Sequence, residues 1–196
     1  MNYKENIAYR QLLNQKVCNG YRCTKEEKLW FQVNPMYNPR YDEPRYQRDL
    51  IQLKPKQLYQ IKVKIELLNH DLMRMIPLIG VAAGKGEIVT VNPLFDIDEK
   101  QTEKYSTKLL GVLIDNDRPE SQFTVKSQLG LVSVAYQCDY FDPYMKLEKR
   151  ECSDGVNRLF AMNRKDISSN QVLYECKSPL KEDFDALVFS IEWNES

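Results

Sequence analysis

The sequence predicts an all-β protein, a two-sheet antiparallel β-sandwich or distorted barrel that carries an N-terminal arm. Apolar and polar side chains alternate along Tyr59–Leu67 and again along Leu187–Trp193. Such alternation places the apolar residues on one face of an extended strand. Between these two stretches lie further short apolar segments, and about nine or ten strands separated by turn residues are typical of a sandwich or barrel.

A hairpin is predicted at the start of the sheet region. The apolar run Ile76–Val81 follows the first alternating stretch after a polar break at Asn69–Asp71, so a strand, a turn and a returning strand are expected. The remaining predicted strands are Ile88–Val91, Leu109–Asp115, Gln122–Lys126, Leu129–Cys138, Tyr144–Lys149, Arg158–Met162, Gln171–Cys176 and Ala186–Trp193.

The arm begins with two short helices. Residues 4–17 have apolar side chains near one stripe at helical spacing, and Asn19 followed by glycine ends that helix. Thr24 and Glu27 form the sequence signature of a capping box, which predicts a second helix that ends before Pro35.

Residues 34–48 differ from the rest of the chain because three prolines alternate with tyrosines and arginines. Proline lacks a backbone donor, so an extended strap without a hydrogen-bonded ladder is predicted. Tyrosine and arginine are enriched at interface hot spots. The strap therefore either covers an edge of its own sheet or reaches a neighbouring subunit. The candidate partner-binding residues are Tyr37, Arg40, Tyr41, Arg45, Tyr46 and Arg48.

Two units are expected, an arm over residues 1–55 and a β-sandwich over residues 56–196. The patterned strands begin after residue 55, and about 140 residues suffice for one core. Removal of residues 1–50 is then expected to leave a folded sandwich.

Charge and composition argue against several classes of function and location. The 28 Lys and Arg residues balance the 28 Asp and Glu residues, so no global field favours nucleic acid. The longest apolar runs fall short of the roughly 20 residues of a membrane-spanning helix, and no apolar signal-peptide core follows Met1. The five cysteines fit free thiols of an intracellular chain, which is the expected location.

Catalytic signatures are lacking in the sequence. His70 is the only histidine, and Gly84-Lys85-Gly86 lacks the frame of a phosphate-binding loop. A protein that is not an enzyme and has no cofactor is therefore expected.

Four acidic residues are candidate metal ligands because they follow predicted strands, where loops rich in oxygen ligands can hold calcium. They are Asp115, Asp117, Asp139 and Asp142. Turn formation is the competing and favoured interpretation, since aspartate side chains cap backbone amides.

The segment Phe141–Leu147, FDPYMKL, resembles the strand entry typical of C2 domains, which are β-sandwich modules that often bind calcium and membranes. The resemblance implies a sandwich and maps Asp142 to an aspartate of a calcium loop. The chain departs from the family pattern after its last strand, where no acidic pair follows.

The sequence thus predicts a non-catalytic structural or adaptor subunit, which docks onto protein subunits of an assembly or onto copies of itself through its arm. The alternative is a C2-like module that binds calcium or a membrane. Nucleic acid is not an expected partner, because Asp42, Glu43 and Asp49 lie among the arginines of the strap.

Overall fold

The protein is mostly β and antiparallel, with helices at the N-terminus. The computed structural model describes residues 1–69, 78–83, 87–91, 110–113, 120–142, 147–152 and 160–196. Its two helices are α1 (Tyr3–Cys18) and α2 (Lys25–Val33), and its strands are β1 (Met36–Tyr37), β2 (Tyr46–Gln52), β3 (Leu58–Leu68), β4 (Leu78–Ala83), β5 (Glu87–Val91), β6 (Leu110–Leu113), β7 (Glu120–Lys126), β8 (Leu131–Asp142), β9 (Leu147–Cys152), β10 (Met162–Ser168), β11 (Gln171–Cys176) and β12 (Leu187–Glu195).

Both helices begin at a reciprocal capping box. The Asn2 side chain accepts a hydrogen bond from the Glu5 amide at 3.0 Å, and the Glu5 carboxylate accepts from the Asn2 amide at 2.9 Å. Thr24 and Glu27 make the same pair of bonds at the start of α2. These bonds satisfy amides that the first helical turn leaves without partners, so each start is specified locally.

The strands form one curled antiparallel sheet, a half-barrel. Their order is β5-β7-β3-β12-β11-β10-β2-β8-β4-β6, with β1 paired to β2 and β9 paired to β8. The curl brings strands that are distant in this order onto one apolar core. That core includes Ile51 of β2, Val63 of β3, Val125 of β7, Val134 of β8 and Phe189 of β12.

The predicted β-rich antiparallel class is confirmed, whereas a division into two separate sheets is not. Strand β2 pairs with β10 on one side and with β8 on the other, so it connects the two halves of the path. Strands β7, β11 and β12 lie where alternation predicted them. The expected strand at Arg158–Met162 instead runs over Met162–Ser168, directly after buried Phe160 and Ala161.

The predicted hairpin between Leu58 and Val81 is wrong in its pairing. Strand β3 pairs with β12 and β7, while β4 pairs with β8 and β6. Both edges of β3 are therefore occupied by other strands. Alternation determines which face of a strand is buried, but it does not determine the neighbouring strand.

The expected strap without a ladder is also wrong. Met36 pairs with Arg48 and Tyr37 with Tyr46, and β2 continues into the sheet. Pro35, Pro39 and Pro44 lie just outside the two strands, where their missing amide hydrogens cost no ladder bond. The boundary between residues 55 and 56 stays a prediction, although β2 lies before it in the sheet.

Several sequence-based expectations concern residues outside the described ones, namely His70, Gly84–Gly86, Asp115 and Asp117. In the part of the chain that the structure describes, α1 and α2 have 16 and 9 residues, and neither offers the apolar length that a membrane crossing requires.

Candidate functional site

The turn between β1 and β2 is bound to the sheet by Asn38, whose side chain is buried. The Asn38 side-chain amide donates to the Phe160 carbonyl oxygen at 2.8 Å, and its oxygen accepts from the Arg40 amide at 2.9 Å. The Asn38 backbone amide donates to the carbonyl oxygen of Arg45. These bonds hold the middle of the predicted strap against its own chain.

Charged residues of this turn contact the segment between β11 and β12. Arg40 forms an ion pair with Glu182 at 2.7 Å, and buried Lys177 reaches the same carboxylate at 2.9 Å. The Lys177 ammonium, followed by Arg40, lowers the pKa of the Glu182 carboxyl. One carboxylate thus bridges a buried and an exposed cation.

Aromatic contacts complete this attachment. The Tyr41 ring lies 5.9 Å from the Phe184 ring, and the Arg45 guanidinium lies 5.4 Å from the same ring centroid. Arg45 also donates to Asn163 at 3.2 Å. Guanidinium stacking on an aromatic face is a stabilising contact within this fold.

The remaining predicted interface residues lie on β1 and β2. The rings of Tyr37 and Tyr46 are 5.2 Å apart, and Tyr3 of α1 approaches Tyr37 at 5.8 Å. Burial, with the nearby Asp49 carboxylate, raises the pKa of Tyr46 to about 12. Arg48 follows on β2 and is half-buried.

The structure therefore brings the six strap residues onto one region, where they contact their own chain. This favours the interpretation in which the strap covers its own domain. Their role in partner binding stays a prediction.

Two of the four candidate metal ligands lie in a strand and not in a loop. Asp139 and Asp142 lie within β8, opposite Arg150 and Leu147 of β9, and not in a loop after a strand. The apolar alternation ends near Cys138, but backbone pairing with β9 continues the strand. Among the residues that the structure describes, no group of three Cys, His, Asp or Glu side chains could hold a metal ion.

A second surface, which the strap hypothesis missed, lies on the helices. We call it the arm face: Leu12 and Val17 of α1, Tyr21 of the connection, and Leu29 and Val33 of α2. Each of these side chains is 40–46% exposed, and α2 contains no buried residue. The apolar spacing in α1 predicted a buried stripe, but of its members only Leu13 is buried. Spacing alone does not show which side of a short helix meets the sheet.

The inner side of the arm is aromatic and is held by Arg10. The rings of Tyr9 and Trp30 meet edge to face at 4.7 Å, which joins α1 to α2. The Arg10 guanidinium lies over Trp30 and Phe31, with centroid distances of 5.2 and 5.1 Å. It also donates to the Asn34 carbonyl oxygen at 3.1 Å, so one side chain connects both helices with the start of β1.

The helical part of the arm, residues 1–33, carries an excess of positive charge. Residues 1–33 contain six Lys or Arg residues and three Glu residues, while the whole chain is neutral. The net charge of +3 on residues 1–33 is balanced by an equal negative charge on the rest of the chain. The arm face is thus a set of exposed apolar side chains on a positively charged part of the chain.

Comparisons with known proteins found no matching family model, no matching curated protein and no matching solved structure. The resemblance to C2 domains accordingly has no support beyond the seven residues that suggested it.

Proposed function

We propose that the protein is a non-catalytic structural or adaptor subunit of a larger assembly, and that it docks on a partner protein through the arm face. The curled sheet serves as the rigid body, and the helices carry the contact. The observation that supports this proposal best is the exposure of five large apolar side chains, four on two short helices and Tyr21 in their connection.

Apolar exposure of this kind indicates a protein contact. Leu29 and Val33 are one helical turn apart and therefore share a face of α2. Clustered apolar side chains on a surface are typical of protein interaction sites. Leu13 of α1 is buried, but none of the five exposed arm-face residues belongs to the apolar core cluster of the described residues.

The free energy gained by burying the arm face is too small to hold a micromolar complex by itself. Burial of a half-exposed aliphatic side chain contributes roughly 1 kcal/mol, so five contribute about 5 kcal/mol. A micromolar complex requires about 8 kcal/mol. The remainder must come from polar contacts, and the net positive arm favours a partner with an acidic surface.

Free thiols support a location inside the cell for this assembly. Cys18, Cys23 and Cys176 form no disulfide in the described part of the chain, and Cys18 is exposed. Exposed thiols persist in reducing compartments, whereas secreted proteins tend to pair them.

The test replaces Leu12, Leu29 and Val33 together by glutamine in cells of the protein's own source. These positions are exposed, so we expect the triple variant to fold normally and to leave the particle that contains the wild-type chain. Glutamine is a good helix former, which preserves α1 and α2.

A matched control replaces three apolar residues that are exposed elsewhere, Leu67, Ile167 and Leu180, by glutamine. Gel filtration with immunodetection compares the two triple variants. The control is expected to remain in the particle. Retention of the arm variant in the particle, or equal loss of both variants, would contradict docking through the arm face.

A further inference from the structure

A cavity of about 200 Å³ lies between α1 and the β1–β2 pair. Its helical side is formed by Ile7, Arg10, Gln11 and Asn14, and its strand side includes Tyr37. Gln11 and Asn14 are exposed while Arg10 and Tyr37 are half-buried, so the cavity opens to solvent along the helix. No carboxylate is among the residues that line it.

Arg10 is the charged group of this cavity, and its donors are only partly used. One terminal nitrogen donates to the carbonyl oxygens of Asn34 and Pro35, at 3.1 and 3.4 Å. The Arg10 Nε atom is buried and has no hydrogen-bond partner. A buried donor without a partner costs about 1–3 kcal/mol, and this cost is larger when the group is charged. An acceptor in the cavity would remove this cost only if the Arg10 side chain shifted enough to bring Nε to the cavity wall.

The electrostatic setting favours an anion. Burial, together with the positive charge of Arg48, lowers the pKa of Arg10 to about 10. The ion pairs of the described residues include none for Arg10, whereas Arg40 and Arg45 each have a glutamate. The fold thus holds the guanidinium in place by stacking and by carbonyl oxygens, which do not neutralise its charge.

We propose that this cavity binds a carboxylate side chain, an Asp or Glu of the partner protein. The inference rests on the proposed function, since the cavity adjoins α1 and the arm favours an acidic partner. The carboxylate pairs with the Arg10 guanidinium, and the exposed amides of Gln11 and Asn14 provide further donors at the rim.

The size of the cavity selects a side chain over a larger ligand. Sites for drug-sized molecules and cofactors measure roughly 300–1,000 Å³. About 200 Å³ accommodates a short acid but not a nucleotide. Arginine binds carboxylates in a planar arrangement, and a single arginine without lysine in the lining suits one carboxylate better than a doubly charged phosphate.

The first experiment uses sodium propionate as the probe for a carboxylate side chain. The Arg10 Nε–H signal and the amide signals of Gln11 and Asn14 are followed by NMR during titration of the full chain. We expect saturable shifts with propionate, and none with propionamide or with sodium chloride at equal ionic strength. Absence of saturable shifts, or tighter binding of inorganic phosphate than of propionate, would overturn the carboxylate assignment.

The matched variants are Gln11→Glu and Gln15→Glu, which add the same charge to exposed positions of α1 and leave Arg10 in place. Only Gln11 lines the cavity. A carboxylate at position 11 supplies the anion from within the chain, so propionate affinity is expected to fall about tenfold or more. Equal affinities of both variants would overturn the site.

The second experiment places the same two variants in the source cells and measures their presence in the assembly. If the Gln11→Glu variant is absent from the assembly while the Gln15→Glu variant is present, the ligand is a side chain of the partner. If both assemble while Gln11→Glu no longer binds propionate, the partner part of the inference is wrong and the ligand is a free small acid. Propionate binding requires no partner, so failure of the cavity and failure of the docking proposal are distinguished.

Discussion

At the scale of single residues, the most constrained group is the carboxylate of Asp49. It is buried on β2 and accepts hydrogen bonds from the Tyr174 hydroxyl at 2.7 Å and from the Arg164 guanidinium at 2.9 Å. Burial raises the pKa of Asp49 although Arg164 opposes this shift, and burial also raises the pKa of Tyr174. The effect of burial on the pKa of Asp49 is thus larger than the opposing effects of Arg164 and Tyr174.

The raised pKa of Asp49 predicts how stability depends on pH. The folded state binds the Asp49 proton more tightly than the unfolded state. The stabilisation that results is therefore fully present below the ordinary pKa near 3.8. It is lost as the pH rises through the raised value. In Asp49→Asn the side-chain oxygen still accepts both bonds, and the free energy of unfolding is expected to vary less with pH in this window. Urea titrations from pH 3 to 8 measure the free energy of unfolding of both proteins. Identical pH profiles would contradict a raised pKa of Asp49.

Two glycines with positive φ provide a matched pair. Gly130, at φ +67°, ends the turn that joins β7 to β8, and an added Cβ would overlap the Leu53 carbonyl oxygen and lie 2.9 Å from the Pro55 nitrogen. Gly20, at φ +89°, has no atom within 4 Å of an added Cβ.

Gly130→Ala is therefore expected to lower the free energy of unfolding by about 3–4 kcal/mol, because backbone strain adds to the overlap with backbone atoms. Gly20→Ala is expected to cost about 1–2 kcal/mol through conformation alone. Denaturant unfolding measures both, and equal losses would show that the close approach at Leu53 does not matter.

At the scale of elements, the helices depend on their caps because they bury little. Thr24 and Glu27 supply reciprocal bonds at the start of α2, and none of the residues of α2 is buried. Most helices are stabilised by packing of one face, and among the described residues α2 has only the contacts of Trp30 and Phe31 with α1 for this.

Thr24→Ala is expected to reduce the stability of α2 by about 1 kcal/mol and to increase amide exchange there about fivefold. The core strands should be unaffected, since the cap contacts none of them. Lys28→Ala, inside the same helix, is the control and should leave exchange nearly unchanged. Hydrogen exchange with mass spectrometry distinguishes the two, and a uniform increase over the whole chain would contradict local stabilisation.

The elements also show what the sequence can predict. Strands β11 and β12 alternate apolar and polar residues, and the capping boxes depend on residues three apart, so local patterns were sufficient. Strand β2 escaped prediction because two of its inward side chains are polar, Gln47 and Asp49. These become buried only through partners such as Tyr174, more than a hundred residues away. The arm face was missed for a similar reason, since helix orientation depends on where the sheet lies.

At the scale of the whole molecule, β2 connects the two halves of the curled sheet. It lies between β10 and β8 and contributes Ile51 to the core. Deletion of residues 1–50 removes most of this strand, so the expectation that a folded sandwich remains does not fit the observed topology. We therefore propose residue 33 as the boundary to test by truncation.

Deletion of residues 1–33 removes both helices and leaves β1 and β2 intact. This truncated chain is expected to retain a β-rich circular dichroism spectrum and a cooperative thermal transition, whereas deletion of residues 1–50 should abolish the transition. Cooperative unfolding of the shorter product would show that the sheet does not need β2.

The central claim is that this chain is a subunit, and native mass spectrometry tests it most directly. The protein isolated gently from its own source is compared with the same chain produced and purified alone. We expect a large particle from the source and a monomer from the isolated chain, since the arm face then lacks its acidic partner. A monomer in both preparations would contradict it.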